Sequence, residues 1–497
     1  PGAVTEIRKA TGTIEPFLER GDSGLGQRDW VAELAGRVTP PAGDAPVVCA
    51  LDTGVSAAHP LIVRGLAGAW AYDAAWGTDD HHPDGGHGTP LTGLVLYGDL
   101  ETLMSGSQPI ELTHGAESMK LLPPYGFPPT KPPSYGIVTQ GAVALVETER
   151  PGVPRTFCLA TTAADFSRGS QSLPEDLTPI KPEVLFEAGN MLSDTSGFCA
   201  WGPSVSLLAP GSDVEREPLV PFWATSAAAG MAGNFIGRLQ AALPARWPET
   251  HRALAVDSAN WPQPIRRKLV GHGVSWKSGS KAEKQQILRE VGYGVPDIER
   301  AILSASNDVT LVAETEIQPF TLGADGRSGV FNEMHFYDLP WPRTALERLE
   351  NEIVTMKITL SYFVEPNLTG KAATRPDTYR SFGLRFDMKK RTETDARFKS
   401  RISASQAKDG TEPQGEKSYW LLGPKAIQAG SLHCDVWRGP AVELAGHDAI
   451  AVYPVGGWWK SHVGQRRVSD RSRYALVISI SAPGHSVDLY SEVAALV

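Results

Sequence analysis

The sequence predicts an α/β domain with a mostly parallel sheet covered by helices on both faces, followed by an antiparallel β-sandwich. Two observations predict this division. From residue 45 to about residue 314, short continuous apolar segments alternate with segments of helical periodicity, which is typical of parallel strands buried on both faces. Further along the chain, apolar residues alternate in period two between turn residues, which is typical of antiparallel strands.

The elements of the α/β domain follow one another at short spacing. Strands are predicted at PVVCALD, SMKLLPP and RTFCLATTA, because each is a short apolar segment next to turn residues. Helices are predicted at GTPLTGLVLYGDL, YGIVTQGAVALVETE, SAAAGMAGNFIGRLQAAL, WPETHRALAVDSA and VPDIERAILSAS. The sandwich strands are predicted within IVTMKITLSYFVEP, DAIAVYPVGGWWK and RYALVISISAPGHSVDLYSEV.

These patterns set the predicted domain boundaries. Residues 1–45 are polar and rich in Gly and Pro, so we predict an N-terminal extension with one short helix. Residues 46–315 form the predicted α/β domain, and residues 316–497 form the predicted sandwich. A chain of 497 residues has room for about two to four domains of ordinary size.

Composition excludes several classes of function. The net charge is −9 and we find no block of Lys and Arg with interleaved aromatic residues, so we expect no nucleic-acid partner. We find no apolar run of the roughly 18 residues that a membrane span needs, and no apolar core of a signal peptide at the start. The four cysteines form no CxxC pair, which favours free buried thiols and a cytoplasmic protein: Cys49, Cys158, Cys199 and Cys434.

The first candidate for chemistry is Asp52 in the segment VVCALDTGV. A buried strand brings this residue to its carboxyl end, and Gly54 turns the chain directly afterwards. Sites in α/β sheets form at the carboxyl ends of strands. The common alternative for an Asp at such a place is the capping of a turn.

The second candidate is His87, which lies between two glycines at the start of a predicted helix. Such a position can present an imidazole in a cleft. The alternative is a metal or turn cluster, because six potential ligands lie close together in sequence: Asp79, Asp80, His81, His82, Asp84 and His87. Adjacent residues do not converge easily on one ion, so we favour a structural or catalytic role over a transition metal.

The third candidate is Ser226, which precedes a long helix of small residues. At a helix N-terminus, its hydroxyl lies in the positive end of the helix dipole and its own N–H is free to bind an oxyanion. The alternative is ordinary N-capping, which is the commoner role of a single Ser at a helix start.

Taken together, the three motifs resemble those of the subtilisin-like serine peptidases. ALDTGV, GHGT and ATSAAA are similar to the family's D-(S/T)-G, H-G-T and G-T-S-(M/A)-A, and they occur in the family's order of Asp, His and Ser. Ala224 stands where the family mostly has Gly. FSRGSQSLPEDLTPIKPEV and GYGVPDIERAI also resemble family segments, so the resemblance covers about residues 45–310.

The resemblance implies a catalytic role for each candidate. Ser226 would attack the scissile carbonyl, His87 would take and return the proton, and Asp52 would orient the imidazole. The implied activity is that of a serine endopeptidase that acts through an acyl-enzyme on a protein or peptide substrate. No cofactor is implied. Calcium is common in the family, but we recognise no calcium loop in this sequence.

One segment of the family pattern is missing from this sequence. The family supplies an Asn side chain to the oxyanion hole from an A-G-N segment, but Asp165 and Phe166 are adjacent where that segment is expected. Roughly 60–90 residues of βαβ structure would be absent, more than the ~30 of one such unit. EAGN at 187–190 lies in a later register, so Asn190 is a weak candidate for the oxyanion donor, as is Asn234.

The chain, chiefly in its C-terminal half, also resembles a bacterial intracellular branch of the family that accompanies an AAA-type ATPase. The stretches that carry this resemblance are WGTDDHH, LYGDL, LPWP, TLSYFVEPN, GSLHCDVWRG and AVYPVGGWWK. It implies an AAA-type ATPase as partner and a role in anti-phage defence.

Two alternatives to the endopeptidase stay open at the level of sequence. The missing oxyanion segment is compatible with a catalytically inactive peptidase domain that acts as a binding module, although the presence of all three catalytic residue types argues against it. A serine esterase would use the same three residues.

Near the C-terminus, Trp458 and Trp459 stand next to several Lys and Arg residues, which favours cation–π contacts at a sandwich edge over a docking surface.

Overall fold

A computed structural model of the chain divides into two compact units. The residues that it describes are 13–19, 26–81, 86–159, 179–270, 281–303, 308–367, 379–407, 419–423, 430–482 and 489–494. The first unit contains the described residues up to 159 together with 186–244. The second unit contains 179–185 and the described residues from 245 onwards.

The first unit is an α/β structure. Its helices are α1 (Glu15–Leu18), α2 (Gln27–Arg37), α3 (Gly88–Tyr97), α4 (Leu100–Met104), α5 (Tyr135–Glu149) and α6 (Ala224–Ala242). Its strands are β1 (Val38–Thr39), β2 (Val47–Asp52), β3 (Leu66–Ala71), β4 (Ile110–Glu111), β5 (Gly115–Lys120), β6 (Arg155–Leu159), β7 (Leu192–Ser193), β8 (Cys199–Ala200), β9 (Leu207–Pro210) and β10 (Leu219–Phe222).

The second unit contains mostly antiparallel strands and short helices. Its helices are α7 (Pro248–Ser258), α8 (Gln263–Val270), α9 (Lys281–Val291), α10 (Ile298–Ile302), α11 (Arg343–Arg348), α12 (Asp395–Ala407), α13 (Ala441–Leu444), α14 (Trp458–Ser461) and α15 (Leu489–Ala494). Its strands are β11 (Asp308–Ile317), β12 (Phe320–Leu322), β13 (Gly329–Phe331), β14 (His335–Asp338), β15 (Ile353–Tyr362), β16 (Gly383–Met388), β17 (Leu432–Pro440), β18 (Ala449–Val455) and β19 (Ser472–Ser481).

A parallel four-stranded sheet in the order β3-β5-β2-β6 organises the first unit. Successive side chains of β2 point to opposite faces, and both faces are covered. Val48 and Ala50 join the core that includes residues of α3, whereas Cys49 and Leu51 join a core with residues of α5. This arrangement confirms the predicted α/β fold with a parallel sheet and helices, and it explains why the β2 sequence is apolar throughout.

Glycines on one face of α6 let this helix approach α3 closely. A Cβ on Gly230 would lie 2.7 Å from Cβ of Leu94, and a Cβ on Gly233 would lie 2.9 Å from a methyl group of Val95. A Cβ on Gly237 would overlap with the buried ring of His114. Because these glycines recur at helical spacing, the small residues that follow Ser226 form the packing face of the helix that carries it.

The second unit has a four-stranded antiparallel sheet in the order β11-β19-β15-β17 and a three-stranded antiparallel sheet in the order β14-β18-β16. One apolar core receives side chains from both sheets, such as Ile358 and Ile478 from the first and Phe386 and Val452 from the second. The antiparallel pairing agrees with the predicted pattern, and the sandwich architecture itself stays a prediction.

Trp458 and Trp459 are buried in the second unit. Their indole N–H groups donate to the carbonyl and the carboxylate of Glu365, and the guanidinium of Arg467 lies 5.6 Å from the ring centroid of Trp459. These contacts place the Trp pair in the core with a cation–π contact at its edge, as favoured above, and give no support to a docking surface.

The two compact units of the structure do not divide at the boundary predicted near residue 315. Helix α7, from the predicted peptidase domain, lies in the second unit, where the buried ammonium of Lys357 donates to the carbonyls of Asp257 (2.8 Å) and Ala259. The sequence pattern marks where strands replace helices, whereas the compact units follow such long-range contacts. The predicted boundary at 315 therefore stays a prediction.

Other expectations have mixed outcomes. All four cysteines are free, but Cys199, the first residue of β8, is exposed, so the expectation that every thiol is buried is wrong for it. Residues 1–12 and 20–25, which form part of the predicted N-terminal extension, and the junction of Asp165 and Phe166 lie outside the described residues. Within the part of the chain that is described, no helix combines the length and apolar character needed to cross a membrane.

We expect Gly230→Ala to destabilise the first unit by about 1–3 kcal/mol, because the added methyl group overlaps with Leu94 where α6 packs against α3. Gly136→Ala in α5 is the matched control. A Cβ there has open space around it, and the substitution replaces a glycine within a helix by a better helix former. It should stabilise by about 0.5–1 kcal/mol. Thermal unfolding of both variants measures the two effects. Equal shifts of the two melting temperatures in the same direction would contradict the close packing of α6 against α3 at Gly230.

Candidate active site

Asp52 is the last residue of β2 and is buried. Its Oδ1 accepts hydrogen bonds from Nδ1 of His87 at 2.8 Å and from the backbone N–H of Thr53 at 2.8 Å. Its Oδ2 is also buried, and no described residue donates to it. The strand therefore holds this carboxylate with one oxygen directed at the imidazole.

His87 directly precedes α3, and its ring connects Asp52 to Ser226. A carboxylate can only accept, so Nδ1 carries the proton and Nε2 is left to accept from the hydroxyl of Ser226, at an Nε2–Oγ distance of 2.9 Å. The ring also packs edge-on against Phe222, with centroids 5.2 Å apart. The structure thus brings together all three residues predicted from the sequence, in one hydrogen-bonded line.

Ser226 is the third residue of α6 and is 8% exposed. Its backbone N–H is among the first four of the helix, which have no partner within the helix. The positive end of the helix dipole favours negative charge at this point. A hydroxyl that could act as a nucleophile, an imidazole within hydrogen-bond distance of it and an N–H that could donate to an oxyanion therefore meet at one helix end.

Two glycines allow the segments that carry these residues to meet. Gly54 has φ +107°, and a Cβ there would lie 2.5 Å from the carbonyl oxygens of Thr78 and Asp79. A Cβ on Gly88 would overlap with the carbonyl oxygen of Gly54. The turn after β2, the loop before α3 and the start of α3 are therefore in backbone contact, which only glycine permits.

Ala224 adopts a left-handed conformation, with φ +64°, two residues before Ser226. Its N–H donates to the carbonyl of Ala188 at 2.9 Å. This is the position where the family mostly has Gly, and the conformation explains that preference, because a left-handed residue other than Gly costs about 1–2 kcal/mol. The turn that presents Ser226 is thus strained in this chain.

The pKa of His87 is raised above its usual value. Burial of the ring opposes protonation, but the hydrogen bond that the ring donates to Asp52 and the negative charges of Asp52 and Asp80 outweigh it. A base with a raised pKa binds a proton more strongly than an ordinary imidazole, and its charged form is stabilised as it forms.

The two asparagines considered for the oxyanion hole have different environments. Asn234 is buried, and its Nδ2 donates to the carbonyls of Val95 (3.0 Å) and Leu96 (3.2 Å), so it fastens α6 to α3. Asn190 is exposed, its Oδ1 accepts from the N–H of Met191 at 2.8 Å, and no described residue accepts from its Nδ2. Of the two, only Asn190 therefore keeps amide N–H groups without a partner among the described residues.

The described residues among the six candidate metal ligands do not form a group that could hold a metal ion. Asp80 accepts three hydrogen bonds from neighbouring protein groups, and Asp79 and His81 are exposed, whereas His82 and Asp84 lie outside the described residues. Within the described part of the chain, no three His, Cys, Asp or Glu residues are grouped as metal ligands would be.

The sequence alone did not identify the residues that surround Asp52, His87 and Ser226. Asp80 was considered only as a metal ligand, and neither Thr53 nor Lys120 was singled out. The available signal was the Thr of the ALDTGV motif, whose hydroxyl needs a partner once it is buried.

Residues 43–162 and 138–294 match the model of a family of serine peptidases, and the two matches together span just over half of the chain. The chain belongs to this family, the subtilase family. Membership of this family supports serine protease activity as the general class of function. A search of curated proteins finds no match to the chain.

Several solved structures show a low similarity to the chain. MycP1 from Mycobacterium smegmatis is 18% identical, with 60% of this chain and 90% of that chain covered and a TM-score of 0.31. A serine protease of Aeromonas sobria is 10% identical, with 93% and 91% covered and a TM-score of 0.29. A cold-adapted subtilisin-like serine proteinase is 15% identical, with 47% and 92% covered and a TM-score of 0.27. We base no inference on likenesses of this size.

Ala224→Gly should raise the free energy of unfolding by about 1 kcal/mol, because glycine adopts the left-handed conformation without strain. Ala227→Gly, one position after Ser226 in the same helix, is the control and should lower it by about 0.5–1 kcal/mol. Chemical denaturation measures both variants. If Ala224→Gly destabilises as much as Ala227→Gly does, the turn before Ser226 is not strained.

Proposed function

We propose that the chain is a serine endopeptidase that hydrolyses peptide bonds through an Asp-His-Ser triad. The observation that supports this most is the line of hydrogen bonds from Asp52 through His87 to Ser226, at 2.8 and 2.9 Å. Membership of the subtilase family supports the same class of reaction.

The proposed reaction has two stages. In the first, Ser226 Oγ attacks the scissile carbonyl carbon while His87 Nε2 takes the hydroxyl proton. The C–N bond then breaks and His87 gives that proton to the leaving amine, which leaves an ester on Ser226. In the second stage, water attacks the ester, His87 takes a proton from the water, and Ser226 recovers its hydroxyl proton as the new carboxyl group departs.

The backbone N–H of Ser226 is one proposed donor to the oxyanion that forms on the carbonyl oxygen. The family resemblance implies an Asn side chain as the second donor, and loss of such a donor costs about 10²–10³ in rate. An endopeptidase with full activity therefore requires a second donor in addition to the Ser226 amide.

We further propose that this activity is regulated by, or acts together with, a partner such as an AAA-type ATPase, and that the pair acts in anti-phage defence. The sequence resemblance of the C-terminal half to ATPase-associated relatives supports this part of the proposal, and the proposed β-sandwich would carry the contacts.

The nucleophile is tested with a fluorophosphonate probe, which forms a covalent bond with an activated serine. We expect the wild-type protein to be labelled and Ser226→Ala not to be labelled. Ser258→Ala removes a buried serine at the end of α7 whose hydroxyl donates to the carbonyl of Ala255 and accepts from the backbone N–H of Asp297, and this variant should label normally. Absence of labelling of the wild type, both alone and with a partner ATPase, would contradict the enzyme proposal.

Mass spectrometry of cleavage products from an unfolded protein then separates peptidase from esterase. Peptide-bond cleavage that depends on Ser226 supports an endopeptidase. Hydrolysis of ester substrates alone would favour the esterase alternative.

The labelling rate should rise with pH, because only the neutral imidazole of His87 can accept the serine proton. The raised pKa places the midpoint above the ordinary value of 6.5. In Asp52→Asn the interactions that raise this pKa are lost, so the midpoint should move to lower pH and the rate should fall roughly 10⁴-fold. Asp99→Asn is the control, since Asp99 accepts hydrogen bonds from two backbone N–H groups and does not interact with His87.

A further inference from the structure

A second buried carboxylate, that of Asp80, lies beside the proposed triad. Its Oδ1 accepts from the hydroxyl of Thr53 at 2.6 Å and from the backbone N–H of His87 at 3.2 Å. Its Oδ2 accepts from the backbone N–H of Thr89 at 2.7 Å. Asp80 is only 7% exposed, so these three donors replace water around its charge.

Each donor belongs to a segment that holds a member of the proposed triad. Thr53 follows Asp52 directly, and its Oγ1 also accepts from the N–H of Gly88 at 2.8 Å. The other donors are His87 itself and Thr89 at the start of α3. One carboxylate thus connects the turn after the Asp52 strand to both sides of His87.

A buried lysine holds the loop that carries Asp80. Lys120 ends strand β5 opposite Asp52 in the parallel register, and its side chain has no solvent exposure. Its ammonium donates to the carbonyls of Asp79 (2.6 Å) and Trp76 (3.2 Å). The loop is further attached where the N–H of Val55 donates to the carbonyl of Thr78 at 2.9 Å. The position of Asp80 is therefore fixed by the sheet, not by the loop alone.

Among the residues that the structure describes, the charged groups that act on His87 are Asp52 and Asp80. Lys120 is the cation that acts with Asp80, and its pKa is lowered because burial outweighs the charges of Asp80 and Asp79. Asp80 makes no hydrogen bond to the imidazole, so its effect on the ring is by charge and by the position of the backbone.

We propose that Asp80 is a positioning residue of the proposed peptidase site, which holds the His87 backbone and the Asp52 turn in register and stabilises the charged imidazole. Lys120 and Thr53 serve the same purpose through Asp80. This inference rests on the proposed function, because it assigns a role within that site.

A carboxylate is required here because three donors converge on two acceptor oxygens. In Asp80→Asn one oxygen becomes an NH₂ group, which cannot accept from Thr53, His87 or Thr89. A purely structural role would lower stability without moving the titration of His87. A positioning role predicts changes in both the titration and the rate of the proton-transfer step.

The test compares Asp80→Asn with wild type and with the control Asp99→Asn. We expect the labelling midpoint of Asp80→Asn to move to lower pH, because one negative charge near His87 is lost, and kcat for peptide cleavage to fall up to about 100-fold at little change in KM. Asp99→Asn should keep the wild-type midpoint and kcat. An active wild type together with an unchanged midpoint and kcat in Asp80→Asn would overturn the inference.

A second pair of variants keeps the charge and changes only the connection. Thr53→Val removes the hydroxyl that joins Asp80 to Gly88, so kcat should fall while the midpoint stays close to that of wild type, and Thr53→Ser should restore kcat. This pair decides the question if Asp80→Asn does not fold. Full activity in Thr53→Val would overturn the positioning role.

A readout without catalysis separates this inference from the proposed function. In a Ser226→Ala background with ¹³C-labelled histidine, the His87 resonance is assigned by its loss in His87→Gln, and its titration is followed by NMR. A lower His87 pKa when Asp80→Asn is added supports the coupling even if wild type proves inactive towards peptides. An unchanged pKa overturns it.

Discussion

The candidate site depends on the backbone contact between Gly54 and Gly88. Because a side chain at either position would overlap with a neighbouring carbonyl oxygen, only this pair lets the turn after β2, the loop before α3 and the first residue of α3 occupy the same small volume. The distance between the Asp52 carboxylate and the His87 ring follows from this contact. The side-chain hydrogen bond is therefore an outcome of backbone packing, and the glycines of ALDTGV and GHGT are as necessary to the geometry as the Asp and the His.

Ser226 reaches the same point by a different route. The glycine face of α6 packs against α3, the helix that begins directly after His87, and the amide of Asn234 reinforces the contact through the carbonyls of Val95 and Leu96. The proposed nucleophile lies near the start of α6 and the proposed base directly before α3, so the packing of these two helices sets their relative position. The strain at Ala224 is tolerated because this packing fixes where α6 must start.

Local patterns in the sequence were enough to predict β2, α5 and α6, since each depends on neighbours within a few positions. The three candidate site residues were ambiguous one by one, and only the resemblance of their motifs to those of the family, in the family's order, singled them out. Strand β3 was not predicted, because its residues are mostly half-buried and include Gly68, so neither an apolar run nor strict alternation is present. The network of Thr53, Asp80 and Lys120 joins residues that are far apart in sequence, and a buried Lys at the end of a strand has no local signature. The grouping of α7 with the C-terminal strands escaped prediction for the same reason, because the contact of Lys357 with Asp257 is visible only in the fold.

The charges around His87 also bear on the proposed reaction. Asp52 and Asp80 are buried carboxylates, and Lys120 is the buried cation that acts with Asp80, so these three groups leave one net negative charge beside a neutral imidazole. A buried charge without a counter-charge is costly, and the imidazolium that forms as His87 takes the serine proton supplies that counter-charge. These surroundings therefore stabilise the imidazolium of the intermediate stage better than the neutral imidazole of the resting state. An environment prepared for the charge that develops during a reaction, and held by the fold before substrate binds, is the arrangement by which electrostatic catalysis acts.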